Sequence, residues 1–233
     1  MSETKAIPAP HRYAVCAEVG MPIKEFYKDE FEEVFIIFHP FIKPKTIDFE
    51  LFIPDTFPDG NAIIEHCDRI KWKEFLKISG IKDYRQLDIG LRTLIASLNK
   101  YANEKLAKQI DDVCNEKKIV PPVVGSFPAF EMKDILQYLK EEGYDWLWCG
   151  DEFCTERKLE YVEDLIAGKI EFLNNPINVF THNNEILLTT HWDNHFSMLC
   201  SDKSTTRKIV ESCGLEGFYC NEKTEIDWSL TGT

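Results

Sequence analysis

Residues 178–200 read NVFTHNNEILLTTHWDNHFSMLC, and the fold turns on how that run is divided. Asn183-Asn184 and Asp193-Asn194 are polar pairs that tolerate positive φ, as two-residue hairpin turns require. Between them, Ile186 to Thr190 is apolar and β-branched, which suits a strand. Phe196 to Cys200 is mostly apolar and reads as a strand with little solvent contact. The run therefore predicts a three-stranded antiparallel meander.

The second turn carries the residues that invite chemistry. His191, Asp193 and His195 place metal-ligand types at alternate positions. On one continuous strand, the two histidines would lie roughly 13 Å apart, too far to share an ion. With a turn at Asp193-Asn194, they point to opposite sides of the sheet. His182 sits at the far end of the middle strand. No metal and no cofactor are expected. His191, Trp192, Asp193, Asn194 and His195 form instead a candidate binding tip. Trp192 has two readings: an exposed anchor, or a side chain folded back as core onto the Trp228 region, with the packed reading slightly ahead.

The 233 residues carry 27 basic and 40 acidic side chains, a net charge of −13. That balance repels phosphate backbones and argues against nucleic acid, while it favours encounter with a basic protein. Hydrophobic residues make up 44% of the chain, enough for a core, yet no apolar run is long enough to span a bilayer. The start lacks the basic and apolar regions of a signal peptide, so a cytoplasmic protein, monomeric or weakly dimeric, is expected. None of the eight cysteines forms a Cys-x-x-Cys pair, and most sit in apolar context. They read as small buried hydrophobes in a reducing compartment.

Before the meander, residues 1–12 read as a loose lead-in. Val34 to Phe38 reads as a buried strand closed by His39-Pro40, and Phe49 to Ile53 as a second strand. Asp68 is a candidate cap for a helix with Trp72, Phe75 and Leu76 on one face, ended by Gly80. Asp83 and Gln86 resemble a capping box opening the longest helical pattern, from Tyr84 to Val113, with a phase shift near Asn103. Its irregular charges favour packing in the chain's own core over a coiled-coil dimer. Lys117 to Pro122 breaks the pattern and marks a boundary, dividing a half at 13–120 from one at 121–233 unless the two form one compact domain.

Pro128 opens a helix that ends at Gly143, and Asp145 to Cys149 follows as a strand. Thr155 caps a predicted helix through Leu159, Val162 and Ile166. After the meander come a helix begun by Asp202 or Ser204 and two short strands, Leu215 to Cys220 and Thr224 to Trp228. Helices and strands do not alternate strictly. The fold class is α+β, with N-terminal strands and long helices and a C-terminal antiparallel β-meander with packed helices.

Asp151 and Glu152 follow a predicted strand, where loops carry function, and are candidates for acid–base work or binding. Adjacent carboxylates on extended chain diverge, however, and acids after a glycine are ordinary turn residues. No phosphate-binding loop, Gly-x-Ser-x-Gly or His-Glu-x-x-His is present.

Several landmarks together resemble a family. They are Phe38-His39-Pro40-Phe41, Ile70-Lys71-Trp72 through Ser79-Gly80, the helix from Leu91 to Leu98, Asp193 with Phe196, Leu215-Glu216, and Thr224 through Trp228. The chain resembles the YwbB-like bacterial domain of unknown function, which implies no assigned activity and no active-site residues. The C-terminal order of meander, helix, strand and tryptophan is similar to that of some bacterial immunity proteins. The expected function is a non-catalytic binding protein, immunity-like toward a basic partner. The alternative is a hydrolase using Asp151 and Glu152 or the His191-Asp193-His195 hairpin. Thiol titration of anaerobically prepared, denatured protein is expected to return all eight cysteines as free thiols. Recovery of half of them or fewer would contradict the reading of compartment.

Overall fold

The computed structural model describes residues 14–98, 100–169 and 177–231; the lead-in at 1–12 lies outside the described residues. In chain order the elements begin α1 (Ile23–Phe26), β1 (Glu33–Phe38), β2 (Phe41–Pro44), α2 (Gly60–His66), β3 (Cys67–Ile70), α3 (Trp72–Ser79), α4 (Tyr84–Leu94) and α5 (Glu104–Lys117). They continue with α6 (Ala129–Glu141), β4 (Trp146–Gly150), β5 (Arg157–Tyr161), α7 (Val162–Ile166), β6 (Asn178–Phe180), β7 (Leu187–Thr190), β8 (Phe196–Ser201), α8 (Lys203–Ser212), β9 (Gly217–Tyr219) and α9 (Trp228–Thr231). The fold is mixed α+β.

Seven strands form one antiparallel sheet in the order β5-β4-β6-β7-β8-β1-β9, and β2 pairs with β3 in a small second sheet. The meander β6-β7-β8 is present, and β1 adds to it, with Phe35 opposite Leu199 and Phe38 opposite Phe196. Alternate side chains enter two different cores. Val34, Ile36, Phe38, Phe196, Met198 and Cys200 face α1, α3, α4, α5 and α9. Phe35, Ile37, Leu188 and Leu199 face α6, α7 and α8. The sheet is thus the middle of three layers, and for that reason β1 and β8 read as nearly continuous apolar runs.

The long helical pattern divides where its phase shifts. Asp83 caps α4 through the Gln86 N–H, and Asn103 caps α5 through the Leu106 N–H. The two helices cross closely at Gly90, where a Cβ would stand 2.6 Å from Ile110 Cδ1. The helix expected from Asp68 starts later, because Asp68 pairs within β3. The N-terminus of α3 is met instead by a distant carboxylate: Glu216 accepts from the Trp72 and Lys73 N–H groups, at 2.6 and 2.8 Å.

Three further expectations are corrected. Phe49–Leu51 is a single 3₁₀ turn with no buried residue, since Pro54 and the turn after it leave no partner strand. Thr155 does not cap a helix. Asp151 bonds it into a tight loop, and Arg157–Tyr161 becomes the edge strand paired with β4. Thr224 to Trp228 is not a strand, because Thr224 and Asn221 close a turn and Trp228 opens α9.

Helix α6 is tied to the small sheet through Arg69, which lies 2.7 Å from Asp134 and 3.5 Å from Glu131. Glu131 is buried, and one of its carboxylate oxygens has no hydrogen-bond partner. Burial outweighs the Arg69 charge and raises its pKa from 4.5 to about 7. The folded chain therefore holds a proton that the unfolded chain has released between those two values. Glu131 should reduce stability as pH climbs through that window, by on the order of 3 kcal/mol at about 1.36 kcal/mol per pH unit. Glu131→Gln is expected to be more stable than the wild type at pH 8 and no more stable at pH 5, measured by urea denaturation. Equal stabilities at both pH values would contradict the buried, protonated carboxyl.

Candidate functional site

Antiparallel pairing brings the chain's polar groups to one end of the seven-stranded sheet. Gly150, the last residue of β4, lies opposite Asn178, and Asn178 lies opposite Thr189 near the end of β7. At the same end β1 runs out into His39, opposite the start of β8. The loop holding Asp151 and Glu152 and the hairpin holding His191 to His195 are therefore neighbours. Their carboxylates Glu152 and Asp193 both act electrostatically on the Cys16 thiol.

Asp151 shapes its own loop. Its carboxylate accepts from the Thr155 N–H and hydroxyl, both at 2.7 Å, and from the Glu156 N–H at 3.3 Å. Partial burial opposes its charge, but these bonds outweigh it and hold the carboxyl below its usual range. Asn178 fixes the same loop from beneath, donating to the Asp151 carbonyl at 2.6 Å while it accepts from Thr189 Oγ1. Phe153, at the loop's crest, is 69% exposed.

The second turn differs from the two-residue form expected at Asp193-Asn194. Asn194 N–H donates to the His191 carbonyl, so Trp192 and Asp193 are the central residues, and none of the turn's residues has positive φ. His191 Nδ1 and Asp193 Oδ1 stand 2.5 Å apart. Partial burial works to raise the Asp193 carboxyl, but His191, with Arg92 behind it, outweighs burial and lowers it. Trp192 is 59% exposed, which corrects the packed reading. Its indole lies beside the His191 ring, 5.8 Å between centroids. The tip is braced from outside, with Gly125 N–H donating to the Asn194 carbonyl at 3.3 Å. A Cβ on Gly125 would stand 2.3 Å from the Trp192 carbonyl, and its φ is +62°. Only glycine fits there.

His195 and Asn194 turn inward. His195 is 2% exposed, and its Nδ1–H donates to the Pro122 carbonyl at 3.2 Å. Burial lowers its pKa against the pull of Asp88, leaving a neutral ring. Its Nε2 nears the Leu91 carbonyl without hydrogen-bond geometry and, like both amide atoms of Asn194, has no partner. The structure thus separates the three hairpin residues of metal-ligand type: His191 and Asp193 bind each other at the surface, and His195 joins the core. Among the described residues, no group of three or more His, Cys, Asp or Glu side chains is placed to hold a metal ion.

Groups that the sequence reading passed over lie beneath the hairpin. His39 is fully buried, with Nδ1 2.9 Å from the Val123 carbonyl and Nε2 2.7 Å from Ser197 Oγ. Burial drives its pKa down to about 3. The ring is therefore neutral, donating to Val123 and accepting from the Ser197 hydroxyl. The contact has the form of a hydroxyl beside a base, but both side chains are sealed from solvent. Arg92 is also buried. It donates to Asp88 at 2.8 Å, to Asp227 at 2.7 Å and to the Ile226 carbonyl at 2.8 Å. Asp88 and Arg92 each directly follow a core leucine, Leu87 or Leu91. That spacing is the one signal that could have marked them as inward-facing rather than as a surface pair. All eight cysteines are free, and burial pushes Cys16 up to about 12, so it remains a thiol at neutral pH.

Residues 19–230 match the family described as protein of unknown function, DUF2711, and the chain belongs to that family. The match agrees with the resemblance to a family of unknown function and does not identify the chain as YwbB-like. No curated protein and no solved structure matches it.

Trp192→Ala is expected to change stability by less than about 0.5 kcal/mol, because the indole is mostly in solvent. Arg92→Ala is expected to cost roughly 3–5 kcal/mol, because the buried Asp88 carboxyl loses its partner. Urea melts of the two variants test both together. A large loss for Trp192→Ala would return the indole to the core.

Proposed function

We propose that this member of the DUF2711 family is a non-catalytic binding protein that engages a basic protein partner through the loops at one end of its sheet. The observation that carries the reading is Trp192, a largely exposed indole on a tip whose backbone is fixed by Asn194, His191 and Gly125. Large exposed aromatics are enriched at binding hot spots, and a tip already held in place loses little entropy on docking. Phe153 adds a second exposed ring on the neighbouring loop. Asp193 and Glu152 flank the pair, and the net charge of −13 favours a basic surface opposite. An immunity-like role toward a basic toxin in the cytoplasm is the specific form of this proposal. The hydrolase alternative has less support: Asp151 is engaged in its loop, His191 and Asp193 in each other, and His195 in the core.

Affinity capture with the wild type, run beside Trp192→Ala and Phe153→Ala, tests the reading. A basic protein recovered by the wild type should bind Trp192→Ala more weakly by about 2 kcal/mol or more, and should lose affinity as salt is raised. A partner held equally by all three proteins would remove this end of the sheet as the binding surface.

A further inference from the structure

The segment that braces the hairpin has a second side. Val120 pairs with Ile42 through two backbone hydrogen bonds, 2.8 and 3.0 Å, and so extends the small sheet. From there the chain runs as a strap to Pro128. On its inner side the Pro122 carbonyl accepts from His195, the Val123 carbonyl lies against His39, and Gly125 supports the Trp192 turn. On its outer side Val123, Phe127 and Pro128 form one wall of a cleft of about 330 Å³. Ile42, Phe57 and Phe130 are among the residues that close the remainder. The volume lies at the lower end of the range of small-molecule pockets.

The lining indicates what would fit. It is dominated by phenylalanine, proline and aliphatic side chains, and Asp59 is its one charged residue. That carboxylate already accepts from the Ala62 N–H at 2.9 Å as the cap of α2. An anionic ligand would be desolvated here without a counter-ion among the lining residues, and the one carboxylate a cation could meet is committed to the cap of α2, whereas an uncharged ring system would lie against Phe57, Phe127 and Phe130.

We infer that this cleft is a binding site for a small, uncharged, ring-containing molecule. Its occupant seats against Val123, and so braces the strap that holds His39, His195 and the backbone of the Trp192 turn. The site is separate from the proposed partner surface and can be tested without any partner.

The probe is N-phenyl-1-naphthylamine, an uncharged dye whose emission rises in apolar surroundings, titrated into the folded full-length protein. Saturable binding of one dye per chain is expected. Phe57→Ala removes an exposed lining ring, and Ala129→Leu fills the cleft from the first turn of α6; each should weaken binding by about tenfold or more. Phe57 is already 41% exposed, so its variant keeps the test open if Ala129→Leu fails to fold. Trp192→Ala should leave the titration unchanged. Absence of saturable binding, or binding unaltered in the folded cleft variants, would overturn the inference, and would leave the Trp192 surface untouched because no partner enters the measurement.

Discussion

The structure depends on a sheet that is buried on both faces. Once β1 is inserted between β8 and β9, every residue from Val34 to Phe38 is inside, whichever way it points. Neither face can then be left to water, and the helices are divided between the two by that requirement. Helices α1, α3, α4, α5 and α9 cover one side, and α6, α7 and α8 cover the other. Phe38 shows how firmly the layers are joined. Its ring stacks on Trp72 at 4.2 Å and meets Trp228 at 5.7 Å. One strand residue therefore packs against the first residue of α3 and the first residue of α9, the helix that ends the described chain.

A sheet buried on both faces has its polar problem at the strand ends. Backbone that leaves the ladder there must find other partners or remain unpaired at a cost of roughly 1–3 kcal/mol per group. In this molecule the strand ends bond one another and the strap, whose Gly125 N–H donates to the Asn194 carbonyl. His39 N–H donates to the His195 carbonyl, and the two imidazoles reach the Val123 and Pro122 carbonyls. The histidines act here as neutral connectors: burial holds both below the usual imidazole range, so their rings stay uncharged at neutral pH. Arg92 does the corresponding work for α4, joining Asp88 to the segment before α9.

Much of this was legible from periodicity alone. The meander, β1, the caps at Asp83 and Asp202, and the helix after Pro128 follow from patterns that span several residues and agree with local capping chemistry. The failures share a cause. Around Leu159, a strand and a helix both satisfy so short an apolar pattern, and what decides is that β4 offers Leu159 a partner in Trp148. Asp68 has the chemistry of a cap but lies opposite Lys43 in a ladder. The site was half legible for a similar reason. His191, Asp193 and His195 were visible as a group, but their division between surface and core depends on Pro122, Asp88 and Arg92, which are remote in sequence. His39 and Ser197, 158 residues apart, carry no local signal at all.

Trp192 shows why exposure of a large ring cannot be read from its hydrophobicity. The apolar region it was expected to join is already filled. Trp228 packs against Phe38 and, at 5.1 Å, against Phe218, and Phe196 at the root of the hairpin is fully buried. An added indole would have to displace close-packed rings, which costs more than the transfer of one more side chain out of water returns. The backbone of the turn is also fixed. Thr190 Oγ1 holds the Phe196 carbonyl across the hairpin, and the Trp192 carbonyl lies against Gly125, where not even a methyl group fits. The indole is therefore held outward by the completeness of the core and by the strap behind it. An apolar surface held rigidly in water is what a partner can bury at little entropic cost.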